Sequence, residues 1–325
     1  MLYPRSSSRS RCREAMAARA YIELADLLKL RYQAQGFSYL PRQPIHSLLS
    51  GSHASRLRGR GLNFEEIRAY LPGDDIRNID WKVTARLGKP HTRVYTEERD
   101  RPALLLVDQR LNMFFGSQVS TKSATAAEAA AASAWRVLSV GDRPGALVFD
   151  DSSIESVRPH RSETRVLELL NIVLRKNRAL KVDAGLEPNA AQLNEVLRVA
   201  AAQATHDYLV CLISDLDGAD EETARLMTRL AEHNDVMVLF IYDPLEAELP
   251  ESGKLVISDG DLQLQVDSGD AQLRKTFSED FDVRLEHARK LLLKRQVPVL
   301  PISSSRPVIE QVRELIGRLP QGRVA

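Results

Sequence analysis

The sequence predicts an α/β fold with one mostly parallel central sheet and helices on both faces, and three observations carry that prediction. Residues 103–108 (ALLLVD), 145–150 (GALVFD), 208–215 (YLVCLISD) and 236–243 (VMVLFIYD) are continuous apolar runs of strand length, the pattern of strands buried on both faces. Segments of helical length and periodicity separate them. Strands that alternate with helices call for right-handed crossovers, and hence for parallel pairing.

Taken in order, the chain opens on a basic stretch. Residues 1–60 hold eleven Lys/Arg against three Asp/Glu, a net +8, which leaves −7 for the remainder of a chain whose total is +1. Residues 1–20 are expected to form a disordered, solvated tail; the alternative is a surface for anionic lipid, nucleic acid or an acidic protein face. Met16 is an alternative start that would remove four arginines. No apolar core follows the positive N-terminus, so it does not read as a secretory signal. Between residues 17 and 35, Ile22, Ala25, Leu28 and Tyr32 recur at three- and four-residue steps, which predicts a helix with these on its buried stripe.

Residues 59–102 come next, crowded with charges of both signs: Arg68, Asp74, Asp75, Arg77, Asp80, Arg86, Glu97, Glu98 and Arg99 around Trp81. Pro72-Gly73 and Leu87-Gly88-Lys89-Pro90 are turn signals. The expectation is a salt-bridged, irregular or β layer packed on the sheet, with Trp81 and Tyr70 as apolar anchors. The same layer could serve as a recognition surface.

Helices are predicted over 121–140, 162–176, 190–204 and 220–233, between the apolar strands. Residues 254–266 alternate apolar and polar around Asp259-Gly260, the pattern of a hairpin. A long helix with Leu273, Phe277, Phe281, Leu285, Ala288 and Leu292 on one face follows. Residues 298–302 form a last strand, and a closing helix begins near Pro307 with Val308, Val312, Leu315 and Leu319. The domain division read from this pattern is 1–20 tail, 21–100 helix and charged layer, 101–319 main domain, and 320–325 tail.

Composition narrows the function classes. At 325 residues, 43% hydrophobic and 27% charged, the chain is that of an ordinary globular protein. No apolar run approaches the ~20 residues of a membrane span. Cys12 and Cys211 are the only cysteines and suggest neither a disulfide framework nor a metal knuckle, so a reducing cytoplasm is expected. There is no phosphate-loop pattern, dinucleotide fingerprint or Gly-x-Ser-x-Gly elbow, and the seven histidines lack metal-ligand spacing.

Asp108, Asp150, Asp215 and Asp243 end the four apolar runs. In open α/β sheets ligands bind beyond the carboxyl ends of the strands, so these aspartates fall on the expected functional edge. Singly, each would more simply cap a turn or helix.

The block NFEEIRAYLPGDDIRNIDWKVTARLGKPHTRVYTEERD, then LLLVD, GDRPGALVFDD, LISDLDG and LFIYDPLEAELP, resembles the family called domain of unknown function fifty-eight, over roughly residues 24–319. The resemblance implies a von Willebrand factor A-like, Rossmann-type fold. It further implies a non-catalytic adaptor that works with a MoxR-type AAA+ ATPase and other proteins, with contact to membrane proteins or the membrane periphery and no specific nucleic acid. Von Willebrand A domains hold Mg²⁺ through Asp-x-Ser-x-Ser, a later Thr and a later Asp, since a hard cation takes oxygen ligands. This chain reads Asp108-Gln109-Arg110-Leu111-Asn112 there, its later loop 183–192 has neither Ser nor Thr, and of the metal set only Asp108 and Asp215 match. A guanidinium cannot lose its charge. Arg110 is therefore expected to take the metal's place between Asp108 and Asp215, leaving a degenerate site without a cofactor and a docking edge of Asp108, Arg110, Asn112 and Asp215.

The reading from another class is a metal-dependent hydrolase or nuclease, with Asp74, Asp75 and Asp80 on a metal and Lys82 steadying the attacking water. The acids lie closer in sequence than such sites require.

Overall fold

The computed structural model describes residues 19–34, 62–97, 100–181, 187–249, 254–258, 263–267, 271–272, 275–276 and 297–318. They fall into two compact units, one of residues 42–100 and the other of residues 1–41 with 101–325.

The larger unit is built on a six-stranded sheet. In chain order its strands are β3 (Pro102–Asp108), β4 (Arg143–Phe149), β5 (Ile154–Val157), β6 (Leu209–Ser214), β7 (Asp235–Tyr242) and β10 (Val299–Ser303); the remaining four strands, two in the smaller unit and two in a hairpin, are described below. Across the sheet the order is β10-β7-β6-β3-β4-β5. Every pairing is parallel except β4 with β5. The four apolar runs thus appear as the four central strands, within two residues of their expected ends. The antiparallel edge strand β5 was not foreseen, because four residues are too few to show a period.

Helices α1 (Leu24–Gln33), α3 (Lys122–Ser139), α4 (Glu163–Ala179) and α8 (Val308–Arg318) share one core cluster with the odd-phase strand residues Leu105, Val107, Cys211 and Ile213. Helices α5 (Gln192–Gln203) and α6 (Glu221–Ala231) share the other, with Leu104, Leu106, Val210 and Leu212. Strand residues alternate between faces, so runs buried on both sides must be apolar throughout. Helix α3 is alanine-rich and buried nearly all round, since small side chains let it approach the sheet closely while α1, α4 and α8 cover it.

Helix α1 corrects the expected stripe. Ala25, Leu28 and Tyr32 are exposed, while Leu27 and Ala34 are buried, together with Ile22 just before the helix. Ile22 belongs to an extended segment, so counting helical steps from it sets the wrong phase. This segment begins within the stretch expected to be a tail: Arg19 pairs with the backbone of Val119 and Thr121, and α1 groups with the sheet unit rather than with the charged block that follows it in sequence.

In the smaller unit β1 (Leu62–Ala69) pairs antiparallel with β2 (His91–Glu97). Between them lie a 3₁₀ turn at Ile76–Asn78 and helix α2 (Trp81–Leu87). Asp80 caps α2, its carboxylate accepting from the Lys82 and Val83 N–H groups, and Gly88 ends the helix at φ +69°, a conformation that favours glycine. Two salt bridges lie within the unit: Arg68 grips Asp74 with two hydrogen bonds of 2.9 and 2.8 Å, and Arg93, not among the charged residues singled out from the sequence, holds Asp80 at 2.9 Å. Trp81, expected as an apolar anchor of the layer, is 68% exposed. It opens the helix, in which Val83 and Thr84 are the two residues that are half-buried rather than exposed.

Strands β8 (Lys254–Ser258) and β9 (Gln263–Asp267) form the expected hairpin. Most of the long helix expected after them, including Leu273, Phe277, Phe281, Leu285, Ala288 and Leu292, lies outside the described residues. Among the described residues no helix is long and apolar enough to cross a membrane.

Candidate functional site

The chain runs from β3 through α3 to β4 on one side and later enters β6 on the other. Strand order therefore reverses between β3 and β6, where a crevice opens beyond the strand ends in folds of this kind. Asp108 ends β3, and Asp215 follows β6.

Arg110 lies between them. It is 1% exposed, its Nε and Nη2 donate to the Asp108 carboxylate at 3.1 and 2.8 Å, and Nη2 stands 3.8 Å from Asp215 Oδ1. The same Nη2 donates to the Asp217 carbonyl at 3.1 Å. The guanidinium also faces the Phe149 ring at 5.7 Å, a cation–π contact. Asp108 further accepts from the Arg110 N–H at 3.0 Å and the Ser214 hydroxyl at 2.7 Å.

A second cation completes the cluster. Lys122, at the start of α3, is buried and donates to Asp215 Oδ2 at 2.8 Å and to Glu246 Oε1 at 2.7 Å. Glu246 is held by the single-turn helix α7 (Pro244–Ala247), where it forms a reciprocal capping box with Asp243. Loops after three parallel strands and the first turn of α3 thus meet in one network of two cations and three carboxylates. The turn after β6 is tight: Leu216 takes φ +58°, which aims the Asp217 carbonyl at Arg110 and its N–H at Asp215.

Burial pushes the Asp108 carboxyl above the usual range, with Arg110 working against it. Every hydrogen bond it makes comes from a donor, so the ionised form fits the geometry. Burial also opposes ionisation of Asp215, but the Lys122 and Arg110 charges outweigh it and hold its carboxyl below the usual range. Burial would lower the Arg110 and Lys122 pKa values; their carboxylate partners raise both instead.

This donor set does not fit a divalent cation. Mg²⁺ needs about six oxygen ligands, whereas the oxygens of Asp108 and Asp215 are engaged by guanidinium, ammonium, hydroxyl and amide donors. Among the described residues no group of three His, Cys, Asp or Glu is placed to hold a metal ion.

Of the other expected residues, Asn112 donates to the Asp217 carboxylate at the rim of the cluster. Asp150 and Asp243 take the simpler roles. Asp150 accepts from the Ser152 and Ser153 N–H groups and pairs with the buried Lys176 at 2.5 Å; Asp243 caps α7 and accepts from Ser117 N and Ser304 Oγ at 2.9 and 2.5 Å. In the smaller unit Asp74 and Asp80 are engaged by arginines, and Asp75 caps the 3₁₀ turn. Arg77 and Arg86 are exposed; Glu97 ends β2; Glu98 and Arg99 lie outside the described residues.

Sequence reasoning missed Lys122, Glu246, Ser214 and Asp217. Two signals were available: a lysine one residue after a Thr cap sits at the positive end of a helix dipole and needs acidic neighbours, and Asp243-Pro-Leu-Glu246 has capping-box spacing.

Residues 66–286 match the family model described as "Protein of unknown function DUF58". "Uncharacterized protein Rv1480" of Mycobacterium tuberculosis is 26% identical over 285 residues, 87% of this chain and 88% of its own length; "Uncharacterized protein Mb1516" of Mycobacterium bovis aligns with the same figures. Among solved structures, the conserved hypothetical protein BatB from Bacteroides thetaiotaomicron aligns with 66% of this chain and 98% of its own, at 11% identity and a TM-score of 0.37.

Proposed function

We propose, from the premise that this chain belongs to the DUF58 family, that it is a non-catalytic, metal-independent adaptor that docks proteins through the sheet edge around Asp108, Arg110, Asn112 and Asp215. It would act in the cytoplasm with a MoxR-type AAA+ ATPase, in the assembly or maturation of protein complexes. The fold on this reading is von Willebrand A-like, with a degenerate metal-ion-dependent adhesion site. One observation carries the proposal: where that resemblance expects Mg²⁺, Arg110 and Lys122 neutralise Asp108 and Asp215 from within.

Such a cluster suits grip better than chemistry. General bases and metal-bound water need a lone pair or an open coordination position, and here donors occupy the buried carboxylates. What the network supplies is fixity, because several loops are tied at one point and the polar rim of Asn112 and Asp217 is held in place. Transient interfaces depend on a few such fixed anchors more than on area.

The test is affinity purification of the full chain with and without ATP, with proteins identified by mass spectrometry. A AAA+ ATPase should co-purify with wild type and fall at least tenfold with Asn112→Arg. Co-purification unaffected by that change would remove the sheet edge from the proposal. Calorimetric titration with Mg²⁺ and Mn²⁺ should give no stoichiometric heat; a micromolar event lost in Asp108→Ala would overturn the metal-independent reading. Mn²⁺-dependent release of product from DNA or phosphoesters, abolished by Asp80→Ala in a folded protein, would favour the hydrolase instead.

A further inference from the structure

The short helix α2 presents an exposed arc of unusual chemistry. Trp81 and Ala85 lie one turn apart on it, as do Lys82 and Arg86, and all four are exposed; residues at i and i+4 share a helix face. Ile76 and Leu87 nearby are also exposed, at 65% and 57%. Scattered apolar residues on a surface need no explanation, but a largely exposed tryptophan grouped with others marks an interaction site more often than chance.

The charges around it are unevenly used. Asp74 and Asp80 are engaged by Arg68 and Arg93, and Asp75 by the backbone of the 3₁₀ turn. Arg77, Lys82, Arg86 and Lys89 make no ion pair among the described residues. Asp74, Asp75 and Asp80 are thus engaged inside the unit, while Lys82 and Arg86 are exposed on the same short helix as the tryptophan.

We propose that this arc of α2 is a docking surface for an acidic protein segment carrying an aliphatic or aromatic anchor. Trp81 packs against the anchor, and Lys82 and Arg86 pair with flanking carboxylates. Tryptophan and arginine are the side chains most enriched where binding energy concentrates, and complementary charge speeds and orients the encounter. A nucleic acid fits less well. Residues 62–100 hold seven Lys/Arg against eight Asp/Glu, whereas phosphate-backbone binding draws on a broad basic field. None of these residues belongs to the sheet-edge cluster, so this inference and the adaptor reading fail separately.

The test pans a random 16-residue peptide library, displayed on phage, on the immobilised full-length chain, with the Trp81→Ala/Lys82→Glu/Arg86→Glu variant as counter-selection. Enriched peptides should carry several Asp or Glu around an aliphatic or aromatic residue. Synthesised singly, they should bind wild type at least tenfold more tightly than the triple variant and lose affinity when their acids become amides. The chain holds two tryptophans, and Trp135 is 3% exposed, so in a Trp135→Phe background emission reports Trp81. Acrylamide should quench it in the free chain and less so with peptide bound. The three substitutions are exposed and should leave the melting temperature unchanged. Enrichment of neutral peptides, equal binding to the triple variant, no enrichment, or a Trp81 already shielded in the free chain would each overturn the proposal. So would tighter binding of a 20-nucleotide single strand or of phosphatidylglycerol vesicles at the same three residues.

Discussion

Replacing Arg110 with methionine keeps most of the side chain's volume and removes its charge. Asp108, fully buried, would then retain the Arg110 N–H and Ser214 hydroxyl as donors but lose its counter-ion. Breaking a buried pair from one side costs about 3–5 kcal/mol, because the remaining charge is left uncompensated. At roughly 2–4 °C per kcal/mol for a domain of 150–250 residues, the melting temperature should fall by about 6–20 °C. The loss should also depend on pH. Burial already raises the Asp108 pKa, and without Arg110 it rises further, so between the unfolded and folded pKa the native state binds the extra proton. Stability then falls as pH rises through that window. Arg110→Met should therefore be less damaging at pH 5 than at pH 8, and adding Asp108→Asn should recover at least about 1 kcal/mol as the unpaired charge goes. Calorimetric melts of wild type, both single variants and the double variant at the two pH values complete the cycle. A melting temperature within about 2 °C of wild type for Arg110→Met, or a double variant no better than the single, would refute the ion-pair account.

Three further outcomes are expected from other parts of the sheet unit. The Asp150 carboxyl is opposed by burial but held down to about 2 by Lys176 and the Ser152 donors; its stabilisation, at most about 2 kcal/mol, is present above pH 4 and lost as pH falls toward 2, so Lys176→Met should flatten an acid-unfolding curve in that range. Burial pushes the Cys211 thiol up to about 12, so in a Cys12→Ser background Ellman's reagent at pH 8 should react only after guanidinium unfolding, and fast reaction of the native chain would contradict the buried β6. A Cβ at Gly116 would fall 2.7 Å from Thr121 Cα and closer still to the Ser120 carbonyl; both are backbone, so Gly116→Ala should cost about 1–3 kcal/mol, read as a lower urea midpoint.

The central sheet was legible because its strands are buried on both faces, which forces long apolar runs that nothing else in the sequence imitates. The same logic fails where one constraint is missing. Strand β5 is too short for a period, β1 (LNFEEIRA) and β2 (HTRVYTE) carry no continuous apolar run and so could be read only as an irregular or β layer, and Ile22 packs like a helix residue without being in the helix. At the site, the Asp108–Arg110 pair could be read because its members are two residues apart. Lys122 could not be assigned to Asp215, 93 residues away, because only the return of the chain across the switch point brings them together. Trp81 reads as an anchor from its charged neighbours alone, but Asp80 caps a helix that begins with it and leaves the tryptophan largely exposed.

The energetics of the cluster bear on why such residues occupy the strand ends at all. Well-packed apolar side chains in place of a buried ion network are often neutral or stabilising by about 1–4 kcal/mol, so stability alone does not favour Arg110 and Lys122. Their distinguishing property is directional. Arg110 reaches from the loop after β3 to the Asp217 carbonyl after β6, and Lys122 links α3 to Asp215 and to Glu246 on α7. An apolar filling would leave those loops free to slide, since dispersion has little angular preference, whereas hydrogen bonds to charged groups fix orientation. A network that contributes little net stability but sets the relative positions of three loops would suit the docking proposed above for this sheet edge, because a docking surface must keep its shape.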